Sequence, residues 1–158
     1  MKKKIFITLG IVFALAVTTI VGYGLETGLV KGKQSKPSDY KVGVTFNEAV
    51  ASDKPMLVLF YADWCGYCLR FMPKFVILNT IYSSKYSVVM IDIEDMAYKS
   101  LVDSANLTGF PTLSVIDPKY DFRFTVNQGT YGDVSKLKVE LDRYLKVRKL
   151  LDKTSEAK

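Results

Sequence analysis

The chain contains no histidine. Imidazole acid–base chemistry, a Cys-His nucleophile pair and every histidine-ligated metal site are therefore excluded. Cysteine is almost as scarce, with only Cys65 and Cys68. Two thiols without a histidine fall short of the four ligands of a structural zinc site, so no metal is expected. There is a single tryptophan, Trp64, and it directly precedes the first cysteine. No internal repeat is present. Acidic residues are also in deficit, giving a net charge of +6. That excess hints at nucleic acid until it is divided along the chain. Residues 1–36 hold six lysines against one acid, Glu26, a balance of +5, whereas residues 37–158 hold 16 basic and 15 acidic residues, a balance of +1. The basicity belongs to the N-terminal segment, and a nucleic-acid partner loses its main support.

What remains is 158 residues, 49% of them apolar, enough for one ordinary domain with a real core. Met1-Lys2-Lys3-Lys4 precedes an apolar stretch from Ile5 to Tyr23. A basic start before such a stretch is an export signal. Two fates stay open. Ala14-Leu15-Ala16 resembles a cleavage site, whereas the full length of the stretch suits a bilayer span. The continued apolar run through Val17, Ile20 and Val21 favours an uncleaved anchor over residues 1–24. Lys2, Lys3 and Lys4 abut the span, so the N-terminus is expected inside and the rest of the chain outside. Residues 25–40 read as a linker, residues 41–152 as the folded domain and 153–158 as a polar tail.

Within the domain, Thr45-Phe46-Asn47-Glu48 fits a capping box, starting a short helix to about Ser52. Met56–Tyr61 is apolar throughout, as in a central strand covered on both faces. A helix follows from Cys65 to Tyr82 with Pro73 inside it. Tyr86–Ile93 is a second strand, and Asp95 caps a helix over 96–105. Gly109-Phe110-Pro111-Thr112 leads into a third strand at Leu113–Ile116, and Phe122–Val126 makes a fourth. From Asp133 a final amphipathic helix carries Leu137, Leu141 and Tyr144 on one side and Lys136, Lys138, Arg143, Lys146, Arg148 and Lys149 on the other. The order predicts an α/β fold: a mixed sheet flanked by helices on both faces.

The most informative segment is Trp64-Cys65-Gly66-Tyr67-Cys68, two thiols delivered by a buried strand to the start of a helix. With Phe60-Tyr61-Ala62-Asp63 before it, Pro73 after it and Gly109-Phe110-Pro111-Thr112 further on, it resembles the thioredoxin superfamily over residues 41–150. Phe-Tyr-Ala-Asp-Trp-Cys looks most like the exported domain of DsbD-type electron-transfer proteins. Cys-Gly-Tyr-Cys is similar to the pair of bacterial periplasmic disulfide isomerases, whose dimerisation domain has no counterpart here.

The resemblance implies a thiol–disulfide oxidoreductase of the bacterial cell envelope. Its domain would lie on the extracytoplasmic side, held by residues 5–23 in the membrane, or be secreted if the signal is cleaved. Its partners would be client protein thiols and disulfides and an upstream thiol electron donor, with no cofactor. Cys65 is expected to attack and Cys68 to resolve the mixed disulfide. Gly66 and Tyr67 would tune the pair and Trp64 would shape partner contact. Pro111 would be a cis-proline beside the thiols, with the Phe110 backbone pairing to substrate. Use as a reductase or isomerase is favoured, for example in cytochrome c maturation or disulfide repair. A net oxidant and a non-enzymatic binding module are the alternatives. One departure stands out. The family keeps a buried acid six residues before the first cysteine, and here that residue is Leu59. Glu94, Asp92, Asp63 or water would have to substitute.

Overall fold

The computed structural model describes residues 34–156. The expected anchor over 1–24 and most of the linker lie outside them. No helix among the described residues is long and apolar enough to cross a membrane.

The core is built on β1 (Met56–Tyr61), whose six side chains are all buried. Before it lies α1 (Phe46–Val50), opened by the expected capping box: Thr45 Oγ1 accepts from the Glu48 N–H, and Glu48 accepts from the Thr45 N–H at 2.8 Å. After β1 come α2 (Gly66–Tyr82), β2 (Ser87–Asp92), α3 (Lys99–Ser104), β3 (Thr112–Asp117), β4 (Phe122–Thr125) and α4 (Val134–Glu156). The strand order across the sheet is β2-β1-β3-β4. β1 pairs parallel with β2 and antiparallel with β3, which pairs antiparallel with β4, so the sheet is mixed as expected.

Alternation along β1 sends successive side chains to opposite faces. Leu57, Leu59 and Tyr61 join a cluster with Phe71, Met72, Phe75 and Leu78 of α2 and Leu137 and Leu141 of α4. Met56, Val58 and Phe60 join Ala49 of α1 and Val89 and Ile91 of β2, with Leu101 and Val102 of α3 packed alongside. Two helices therefore cover each face. Parallel pairing of β1 with β2 requires a crossover, and α2 supplies it. That leaves the C-terminal end of β1 and the N-terminus of α2 together at one rim of the sheet.

Three boundaries and one side chain differ from the sequence reading. Pro37–Tyr40, assigned to the linker, form a 3-10 turn against α2, with Pro37 buried. Ser38 N–H and Oγ donate to the two carboxylate oxygens of Asp63, at 3.0 and 2.7 Å, and Lys36 pairs with the same group at 2.9 Å. The helix expected over 96–105 divides into a 3-10 turn, Met96–Tyr98, and α3; Asp95 caps the turn. The tail expected from 153 is still helix to Glu156. Arg148, assigned to a solvated basic face, turns inward. Its Nε lies 2.7 Å from the carboxylate of Asp117, whose side chain has no exposure and which also accepts from Tyr144 Oη at 2.7 Å.

Candidate active site

α2 starts where β1 ends because the chain turns at Asp63-Trp64 and Cys65 becomes the N-cap. Cys65 has extended backbone angles (φ −80°, ψ 103°), and its Sγ accepts from the Cys68 N–H at 3.1 Å. The thiol thus occupies the place that a serine or aspartate oxygen takes at other helix starts. Seventeen residues of helix point their N-terminal partial positive charge at it, with no acid in the first turn to cancel it. Three-residue spacing brings Cys68 back over Cys65, and the two form a disulfide with Cα atoms 5.2 Å apart. Their surroundings differ. Cys65 retains 6% exposure at the rim, whereas Cys68 has none and lies inside the core cluster.

The other expected site residues gather around this pair. The Phe110–Pro111 peptide bond is cis, as the resemblance implied. Trp64 is 67% exposed, stands edge-on to Phe110 with ring centroids 6.4 Å apart, and donates its indole N–H to Glu94 at 3.0 Å. Tyr67 is exposed between the two cysteines in sequence, with the Arg70 guanidinium 4.5 Å from its ring centre. A Cβ placed at Gly66 would meet nothing within 4 Å, so packing does not demand glycine there.

Leu59 is fully buried and faces α2, in the same cluster as both cysteines. Each acid named as its substitute is engaged elsewhere. Asp63 holds Ser38 and Lys36, Glu94 holds Trp64, and Asp92 accepts from the Glu94 N–H at 3.0 Å. Burial works to raise the Asp63 carboxyl, but its bonds from Lys36 and Ser38 outweigh that and hold it below the usual carboxylate range.

Sequence reasoning missed the cleft beside the pair. It measures about 310 Å³ and runs from Tyr67 to Pro111 between α2 and the loop before α4. Arg70 and Lys74 line one wall; Gln128, Tyr131 and Gly132 line the other. Gln128 donates to the Pro111 carbonyl at 3.3 Å. Tyr131 Oη accepts from the Leu113 N–H at 2.6 Å and donates to the Val126 carbonyl, and burial pushes its phenol up to about 12. These two fix the cis-proline loop against β3. Nothing in the local sequence near Gln128 marks that role; only the strand pairing places it there. Among the described residues no cluster of acids and cysteines is arranged to hold a metal ion.

Comparison with known proteins places these features. The family model Thioredoxin matches residues 39–140. A probable protein disulfide-isomerase A6 from Medicago sativa is 37% identical over 70 residues, which are 44% of this chain and 19% of that protein. The chloroplastic thioredoxin-like protein HCF164 of Arabidopsis thaliana is 29% identical over 72 residues, 46% of this chain and 28% of that one. The chain thus spans under a third of the length of either relative. Among solved structures, the germline-specific thioredoxin Deadhead of Drosophila melanogaster superposes with a TM-score of 0.51 at 24% identity, covering 71% of this chain and 97% of that one. The J-Trx1 fragment of ERdj5 gives a TM-score of 0.54 at 16% identity, covering 64% and 49%. These likenesses show the fold.

Proposed function

This chain belongs to the thioredoxin family, and from that membership and the geometry of its two cysteines we propose that it is a thiol–disulfide oxidoreductase acting on protein disulfides. The observation that carries the reading is the asymmetry of the pair. One sulfur caps a helix at the rim, beside a cis-proline loop, and the other is sealed beneath it. An inert structural disulfide closing so short a loop would add little stability and would have no use for an open cleft alongside.

The chemistry follows from the placement. In the reduced protein, the helix dipole and the Cys68 N–H favour the thiolate of Cys65. That thiolate attacks one sulfur of a client disulfide. The S–S bond breaks, and the electron pair leaves on the client's other sulfur. Cys68 then attacks Cys65 in the mixed disulfide, the client sulfur departs, and the Cys68 proton ends on a client thiol. The protein finishes as the Cys65–Cys68 disulfide and the client has gained two electrons. An upstream dithiol must return them for another turnover.

Direction and place complete the proposal. The protein is read as a reductase or isomerase that resembles the exported DsbD-type domains in its Phe60–Cys65 segment. A basic, apolar N-terminal segment ahead of the domain supports a membrane tether with the domain on the extracytoplasmic side of a bacterial envelope. The test is the reduction potential of the full chain against glutathione, with turnover on a protein disulfide followed alongside. A potential near or below about −230 mV supports reductase use, and one above about −150 mV makes it an oxidant or an isomerase of unstable disulfides. A Cys65→Ser variant that keeps full disulfide-reducing activity sinks the reading.

A further inference from the structure

The cleft beside the cysteines is charged on one side only. Arg70 and Lys74 sit four residues apart on α2 and so share one face of the helix. Neither forms an ion pair among the described residues, and no acid lines the cleft. Acids around the site are turned to other tasks. Asp63 holds Lys36 and Ser38, Glu94 holds the indole of Trp64, and Asp133 accepts from the Ser135 N–H at 2.8 Å at the start of α4. The N-terminal partial charge of α2 adds to the same positive field. The rest of the cleft is uncharged: Tyr67, Phe71, Phe110 and Pro111 are aromatic or apolar, and Gln128, Tyr131 and Gly132 form the opposite wall.

From this we infer that the protein selects clients whose reactive cysteine lies in an acidic extended segment. The inference rests on the thiol–disulfide exchange proposed above and names the substrate class of that site. Its geometry gives a register. Along the helix axis Arg70 is about 7 Å beyond Cys65 and Lys74 about 6 Å further, at roughly 1.5 Å per residue. An extended client advances about 3.3 Å per residue. Carboxylates about two and four residues from the client cysteine therefore meet the two cations, and both project from the same face of an extended chain. The aromatic residues accommodate the apolar side chains between.

The test uses the reduced full-length protein and three synthetic peptides. Each carries one cysteine activated as its 2-pyridyl disulfide, with Glu, Gln or Lys at the second and fourth positions on both sides. Exchange with Cys65 releases pyridine-2-thione, a neutral chromophore, and needs no other reductant. Each rate is divided by that of the same peptide with dithiothreitol, which removes the effect of charge on the peptide's own sulfur. The expected order is Glu over Gln over Lys, with about tenfold between the extremes at low ionic strength, the size two partly exposed ion pairs supply. The preference shrinks in molar salt. In an Arg70→Gln, Lys74→Gln double variant the Glu-to-Lys ratio falls close to one. Equal normalised rates, a preference indifferent to salt, or one that survives the double variant each overturn the inference and leave the exchange reading standing. No reaction with any peptide overturns both.

Discussion

Replacing Leu59 by aspartate puts back the acid that family resemblance leads one to expect, and the structure says what that costs. Leu59 has no exposure and faces α2 among Phe75, Cys68 and Leu113 of the same cluster. Removing a fully buried leucine forfeits about 1.5–3 kcal/mol of burial. A polar group left there without a partner costs about 1–3 kcal/mol more. The uncharged control, Leu59→Asn, should therefore lose about 3–5 kcal/mol, a large share of the roughly 5–15 kcal/mol that a domain possesses.

The aspartate carries a further, pH-dependent loss. Burial raises its folded-state pKa above the unfolded value of about 3.9. Below that value both states are protonated and the Asp and Asn variants have similar stability. As pH rises, the unfolded chain ionises first, and the Asp variant loses about 1.4 kcal/mol per pH unit until the folded-state pKa is passed. Guanidinium unfolding of both variants across that range, with midpoints and slopes compared, reads the difference directly. If Asp and Asn follow one another at every pH, or if both cost under about 1 kcal/mol, water reaches this position and the sealed site is refuted.

Two further outcomes test other parts of the structure. Arg148→Met leaves the Asp117 carboxylate buried without a cation, bonded only by the Tyr144 hydroxyl and the Lys119 N–H; a loss of about 3 kcal/mol is expected in thermal unfolding, largely recovered by adding Asp117→Asn, and a loss under about 1 kcal/mol refutes the pairing. Asp63→Asn removes the charge that holds Lys36 and Ser38, so amide exchange over 35–40 should quicken and stability should drop by about 1 kcal/mol. Because the folded-state pKa of Asp63 is lowered, its contribution is present above about pH 3.9 and lost as pH falls through the folded value, so the variant and the parent should converge in acid; a gap that persists there refutes it.

Much of this was legible because local signals and global topology agree. Met56–Tyr61 has no polar residue and became the strand buried on both faces. Thr45 and Glu48 capped α1 from their spacing alone. Cys65, Cys68 and Pro111 were visible because their residue types are restricted by their chemistry. Contacts made across the fold left no such mark. Arg148 falls four residues after Tyr144, on the face that Leu137 and Leu141 bury, so its charge alone groups it with the solvated lysines, and its partner Asp117, at the far end of β3, left no local mark. Ser38 reads as linker because its partner, Asp63, lies 25 residues away. The wall formed by Gln128 and Tyr131 depends on β3 pairing with β4, which carries the following loop back over Pro111.

The missing acid bears on which exchange reaction suits this protein. A mixed disulfide with Cys65 has two exits: attack by Cys68, or attack by another cysteine of the client. The first requires Cys68 to lose a proton inside the core, where a thiolate is disfavoured. Leu59 can neither take that proton nor pass it on, and the carboxylates of Asp63, Asp92 and Glu94 are held by other partners. The proton must travel to the departing client sulfur or to solvent at the rim. That slows the first exit and leaves the second untouched, since the client's own thiol ionises in water. A longer-lived mixed disulfide gives the client time to rearrange, which is what isomerisation needs and what rapid reduction does not. On the proposed reading, the leucine shifts the balance between those two uses, while the cap at Cys65 keeps the first attack fast in both.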